Sequence, residues 1–176
     1  MIGRVTDDST DTRPAPAIST ARLDLLPLRV EHAAEMAEVL ADPALHAFIG
    51  GTPLSPEELL ARYRRLAAGS PDPAERWLNW VIFVRAENRL AGTVQATITG
   101  HTAEIAWVVG TPWQGRGIAR EAARALVDWL STQPVHTVVA HIHPDHHASA
   151  AVAASAGLTA TDERHDGEVR WQRPLQ

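Results

Sequence analysis

The stretch Thr111-Pro112-Trp113-Gln114-Gly115-Arg116-Gly117-Ile118-Ala119-Arg120 holds two glycines, two arginines and the start of an apolar periodic run. Gly115 and Gly117 let the backbone turn its N–H groups toward a common point. The helix that follows adds the positive end of its dipole, and Arg116 and Arg120 add charge, so a pyrophosphate would bind there. A glycine pair alone also serves as a tight strand-to-helix turn that binds nothing, so its surroundings must decide.

Other reactive side chains are grouped further on. His136, His141, His143, His146 and His147 lie within twelve residues, and His141 and His143 fall on one strand face. Imidazoles so spaced suit a metal, but a zinc site also needs a fixed third ligand and supporting hydrogen bonds, and the expectation is no metal. Tyr63, the only tyrosine, lies beside Leu59 and Leu66 at helical spacing and reads as packing. Arg62, Arg64 and Arg65 read as a solvated helix face.

Missing residue types exclude more chemistry than the averages do. The chain contains no cysteine, which removes disulfides, cysteine zinc sites, iron–sulfur clusters and thiol nucleophiles. It also contains no lysine, since all 16 basic residues are Arg, which removes Schiff-base and Walker-type phosphate chemistry. With a formal charge of -5 there is no overall basic surface for a phosphate backbone, so nucleic acid is not an expected partner. No stretch approaches the ~20 apolar residues of a membrane span, and a cytoplasmic protein, monomer or homodimer, is expected.

The elements that must position these groups follow from pattern. The length of 176 residues suits one domain. Residues 1–19, with Asp7, Asp8, Asp11, Pro14 and Pro16, read as a flexible tail, and 20–176 as a single domain. Residues 22–28 alternate as an opening strand, and Ala33, Met36, Ala37 and Leu40 recur at helical spacing. A loop, His46 to Pro53, precedes the helix start Ser55-Pro56-Glu57-Glu58, and Gly69 ends that helix. Residues 77–85, 90–99 and 103–109 form an antiparallel meander. Ile118, Ala122, Ala125, Leu126, Trp129 and Leu130 mark an amphipathic helix. A strand over 135–143, a small-residue helix over 146–156 stopped by Gly157, and a closing hairpin near 158–160 and 168–173 complete the order β-α-α-β-β-β-α-β-α-β-β.

In this context Gln114-x-x-Gly117-x-Ala119, after the strand Ala-Glu-Ile-Ala-Trp-Val-Val, resembles the acyl-CoA signature of the GNAT acetyltransferase superfamily. The opening Arg-Leu-x-Leu-x-Pro-Leu strand, Glu121-Ala122, and Pro144 to Ser149 leading to Ala156-Gly157-Leu158 are similar to the branch that includes the ribosomal-protein alanine N-acetyltransferases. The resemblance spans roughly residues 20–173 and implies an α+β GNAT fold. Its mixed, mostly antiparallel sheet is splayed between strands four and five and flanked by about four helices. The pantetheine arm of acetyl-CoA, the co-substrate, would pair with Trp107, Val108 and Val109, and its pyrophosphate would lie on Gln114, Gly115, Arg116, Gly117, Ile118, Ala119 and Arg120. A free strand N–H near Trp107 or Val108 would polarise the thioester carbonyl.

The implied reaction is direct acetyl transfer to a primary amine, a protein N-terminus or a small-molecule amine, in a ternary complex. Glu104 stands where related N-terminal acetyltransferases carry a Glu thought to act through water, and is the candidate base. The Tyr that many of these enzymes use to reprotonate the thiolate is replaced by Ala153. Ser149 is the remaining candidate acid, with water or a histidine as alternatives. His146 stands in place of the branch's Asn beside the donor. The rival reading is a non-catalytic acyl-CoA-binding regulatory module.

Overall fold

The computed structural model describes residues 13–176. Eight strands form one sheet in the order β1-β2-β3-β4-β5-β6-β8-β7. They are β1 (Ile18–Ser19), β2 (Leu23–Pro27), β3 (Glu75–Val84), β4 (Arg89–Thr99), β5 (Thr102–Val109), β6 (Thr137–Ile142), β7 (Thr159–His165) and β8 (Glu168–Pro174). The helices are α1 (Ala33–Val39), α2 (His46–Ile49), α3 (Pro56–Ala68), α4 (Ile118–Leu130) and α5 (His147–Ser155). The expected mixed, mostly antiparallel fold is what the chain forms.

Local chemistry sets the helix bounds. Ser55 accepts from the Glu58 N–H while the Glu58 carboxylate accepts from the Ser55 N–H, closing a capping box on α3 ahead of Pro56. On α4 the stripe Ile118, Ala122, Ala123, Leu126, Val127 and Leu130 is buried against the sheet. Trp129, at the stripe's edge, meets the fully buried Trp80 of β3 edge-on with ring centroids 5.5 Å apart. Each such large side chain removed from water contributes about 1.5–3 kcal/mol, so the core is anchored where α4 crosses the sheet.

Two expectations are corrected. Residues 1–12 of the expected tail lie outside the described residues, but Ala15 to Ser19 belong to the fold. Ile18 pairs with Leu25, Ala15 is buried, and the Trp80 indole donates to Pro16 O at 2.7 Å. A buried indole N–H needs an acceptor, and this one takes it from a segment whose prolines had suggested disorder. The expected loop over 46–53 begins with the helical turn α2, stopped where Gly50 and Gly51 take φ values of 77° and 75°.

The pair β5 and β6 matters most for function. They run parallel and are in register only over Thr102–Glu104 against Thr137–Val139. Beyond Glu104 the two strands part, the fourth and fifth of the predicted order now carrying these numbers because β1 precedes them. β8 and β7 continue the sheet beyond β6, paired antiparallel.

Candidate active site

A cleft of about 680 Å³ opens where β5 and β6 separate. Its wall on one side is the end of β5 and the turn into α4, lined by Trp107, Val108, Val109, Gln114, Gly115, Gly117, Ile118, Ala119 and Arg120. The opposite side is made by Phe48 and Ile49 of α2, His141 of β6, His143, His146 and Ser149, with Glu168 of β8. The structure therefore brings together all of the expected donor residues except one, and sets Ser149 and His146 across from them.

Backbone alternation fixes which β5 groups face the cleft. The Gly110 N–H donates to Ala91 O at 2.8 Å, and Val108 O stands closer to the place of a Cβ on Gly92 than any real Cβ tolerates. The Val108 peptide thus faces β4. By the pairing rule of antiparallel ladders, the N–H groups of Trp107 and Val109 turn the other way, toward the gap left by β6. The Gln114 side chain approaches Val109 O from that side at 3.0 Å, tying the turn to the strand end. Of the two N–H groups singled out from sequence, geometry selects Trp107.

Gly117 caps α4 in the left-handed region, φ 77°, and no side chain caps the helix. The first-turn N–H groups of a helix have no internal partner, so this end presents free donors and the positive dipole to the cleft. Arg120 lines the cleft and has no carboxylate partner among the described residues. Arg116 differs from expectation: its guanidinium is bound by Glu87, which also accepts from the Trp113 indole at 2.9 Å, and it does not line the cleft. Those hydrogen bonds from Arg116 and Trp113 hold the Glu87 carboxyl below its usual range. Glu121 fastens the same turn from behind, accepting from Thr20 Oγ1 (2.6 Å), Arg22 N (2.8 Å) and Arg22 Nε (2.7 Å). Burial opposes its ionisation, yet these hydrogen bonds prevail and its carboxyl sits below the ordinary value.

On the other wall His146 is the N-cap of α5. Its Nδ1 accepts from the Ser149 N–H at 3.2 Å, and its Nε2 lies 3.2 Å from Ser149 Oγ. With Nδ1 as acceptor, the neutral ring carries its proton on Nε2 and donates it to Oγ, which leaves the serine proton free to turn into the cleft. Burial, then the neighbouring His143, lowers the His146 value, favouring that neutral ring. Phe48 stacks on His146 with centroids 4.3 Å apart. Sequence gave no signal for this contact, because α2 and α5 are a hundred residues apart.

Glu104 is more than half exposed and does not line the cleft; its Oε1 accepts from His141 Nδ1 at 2.9 Å. The histidine cluster in the sequence carries no sign that Glu104 would be the partner of His141. Among the described residues no group of three or more His, Asp or Glu stands close enough to hold a metal ion. Tyr63 is buried in α3 away from the cleft, and burial pushes its phenol up to about 12, in keeping with a packing role. Among the described residues no helix is long and apolar enough to cross a membrane.

Residues 22–159 match the family model described as "Acetyltransferase (GNAT) domain". Several solved structures share the fold. A ribosomal L7/L12 alpha-N-protein acetyltransferase in complex with coenzyme A superposes with a TM-score of 0.76 at 21% identity, covering 91% of this chain and 98% of that one. A ribosomal-protein-S5-alanine acetyltransferase from Vibrio fischeri gives 0.73 at 19% identity, with 92% and 97% covered. A microcin C7 self-immunity acetyltransferase in complex with acetyl-CoA and AMP gives 0.70 at 18%, with 89% and 94% covered. No curated protein sequence matches the chain significantly.

Proposed function

This chain belongs to the GNAT acetyltransferase family and is an acetyl-CoA-dependent acyltransferase, and we propose that it acetylates a primary amine, a protein N-terminus or a small-molecule amine, by direct attack in the cleft between β5 and β6. The observation that carries this reading is the parting of those strands after Glu104, which leaves strand N–H groups and the uncapped α4 end facing one cavity. Unpaired donors along β5 suit the amides of a pantetheine arm, and a helix end with free N–H groups beside Arg120 suits a pyrophosphate. The residues present fit acetyl-CoA.

Within that arrangement Trp107 N–H donates to the carbonyl oxygen as charge builds on it, an effect strongest in a water-poor site. Gln114, Gly115, Gly117, Ile118, Ala119 and Arg120 hold the pyrophosphate, while Val108 and Val109 border the arm. Arg116 contributes its backbone, its side chain being engaged by Glu87. The acceptor enters past Phe48 and Ile49. An amine with an ordinary value near 10 must lose a proton before it attacks, and that proton leaves on the side of the cleft where Glu104 stands. Ser149, with Oγ held by His146, donates to the departing sulfur.

The test is a screen of amines and N-terminal peptides read by CoA release, paired with acetyl-CoA protection against thermal unfolding. Saturating acetyl-CoA should raise the midpoint, because a ligand bound only by the native state adds stability by mass action. One acceptor class should release CoA at enzymatic rates. Failure of every amine, with the thermal shift intact, would leave a donor-binding module instead.

A further inference from the structure

We propose that the atom taking the amine proton is Nε2 of His141, and that Glu104 is the positioning residue that holds its ring. This rests on the acetyltransferase reading and assigns its base. Three observations carry it. The carboxylate can only accept, so His141 Nδ1 carries the proton of their 2.9 Å bond, and this fixes the lone pair on Nε2. His141 lines the cleft with a side chain 15% exposed, whereas Glu104 does not line it and is 57% exposed. Glu104 belongs to the last residue pair joining β5 to β6, and His141 lies two residues beyond that junction on β6. The imidazole thus stands at the apex of the cleft, where an acceptor passing α2 meets the thioester.

The charges around the ring agree with this role. Glu104 faces it from β5 and compensates an imidazolium. Arg170 lies opposite on β8, with its charge engaged by Glu163 of β7 at 3.4 Å. His165 of β7 packs its ring at 5.4 Å, and His143 and His146 line the same cleft. The ammonium gives one proton to Nε2, which passes it to solvent; the neutral nitrogen then forms its bond to the thioester carbon as the C–S bond breaks, and its second proton leaves through the same imidazole. The sulfur takes its proton from Ser149 Oγ, which is replenished from solvent through His146 Nε2.

The experiment measures kcat/KM against pH, with acetyl-CoA binding measured separately, for His141→Gln, Glu104→Gln and the double variant. His141→Gln should lose about 10²- to 10⁴-fold, the size of a general-base contribution, while binding acetyl-CoA as the parent does, and its acid limb should move up to follow the amine's own ionisation. Glu104→Gln should lose less and keep the parent's acid limb, and combining the two should cost no more than His141→Gln alone. A His141→Gln enzyme with parental rate and limb, beside a Glu104→Gln enzyme reduced 10²-fold or more, overturns the proposal in favour of the carboxylate. A parent chain that binds no acetyl-CoA overturns the acetyltransferase reading itself.

Discussion

The two walls of the cleft are built differently. The donor wall is a continuous piece of chain, β5 through the first turn of α4, and what it offers is chiefly backbone: strand N–H groups, a left-handed glycine and a helix end. The acceptor wall is assembled from α2, β6, α5 and β8, and what it offers is side chains, Phe48 on His146, His146 on Ser149, His141 on Glu104. Among the described residues the exposed large apolar side chains, Phe48, Ile49 and Leu54, all lie in or next to α2. Under the proposed function, the donor is recognised by conformation, which tolerates few substitutions, while the acceptor is recognised by surfaces that can change without disturbing the fold.

The sharpest way to break that contrast is Gly117→Glu. It puts a side chain and a negative charge at φ 77° on the helix end, and should abolish the acetyl-CoA-dependent thermal shift, with affinity down at least about 100-fold, since 2.7 kcal/mol of lost interaction already amounts to that. Calorimetric titration checks it. Gly92→Ala attacks the same wall from behind: its Cβ would collide with Val108 O and displace the end of β5. Overpacking of this kind costs about 1–3 kcal/mol, so chemical denaturation should show lost stability together with weaker acetyl-CoA binding.

Across the cleft the effects should fall on turnover and choice. Ser149→Ala should lower kcat about tenfold and leave acetyl-CoA binding intact; thiolate departure is the easier proton problem, a free thiol having an ordinary value near 8.5. Phe48→Ala should raise the acceptor KM several-fold without touching donor affinity, and an equal loss for both substrates would erase the distinction between the walls. The smallest expected effect concerns the fastening of the donor turn. The Glu121 carboxyl is depressed in the folded chain, so its contribution is fully present above the ordinary value of 4.5 and is lost as pH falls through the folded one. Glu121→Gln should lower the thermal midpoint by a few degrees at neutral pH, about 1 kcal/mol for the weakened charged hydrogen bonds, and the gap from the parent should close as pH falls below 4.5.

The contrast also explains what could be read in advance. The donor wall was legible because its residues are neighbours in the chain: the glycine spacing, the apolar period of α4 and the β-run before them describe one continuous path. Even there local pattern does not show that the Arg116 guanidinium is engaged by Glu87, which lies in the β3–β4 turn. Gly92 left a readable sign, a glycine inside a β-run where another strand comes close. The five clustered histidines were visible, but not that His141 faces Glu104 while His146 caps α5.

Sequence by itself determined the order of the longer elements, though not β1 or the short α2, together with the amphipathic face of α4, the turn at Gly115 and Gly117 and the exclusion of thiol and lysine chemistry. These rest on local periodicity, dihedral preference and residue type. Tertiary structure alone decided that Ala15 to Ser19 join the sheet, that β5 and β6 separate after Glu104, and that His141, His146, Ser149 and Phe48 share one wall. Those outcomes depend on strand register and on contacts between segments far apart in the chain. A side chain's partner there is set by how the sheet twists and parts rather than by its own neighbours.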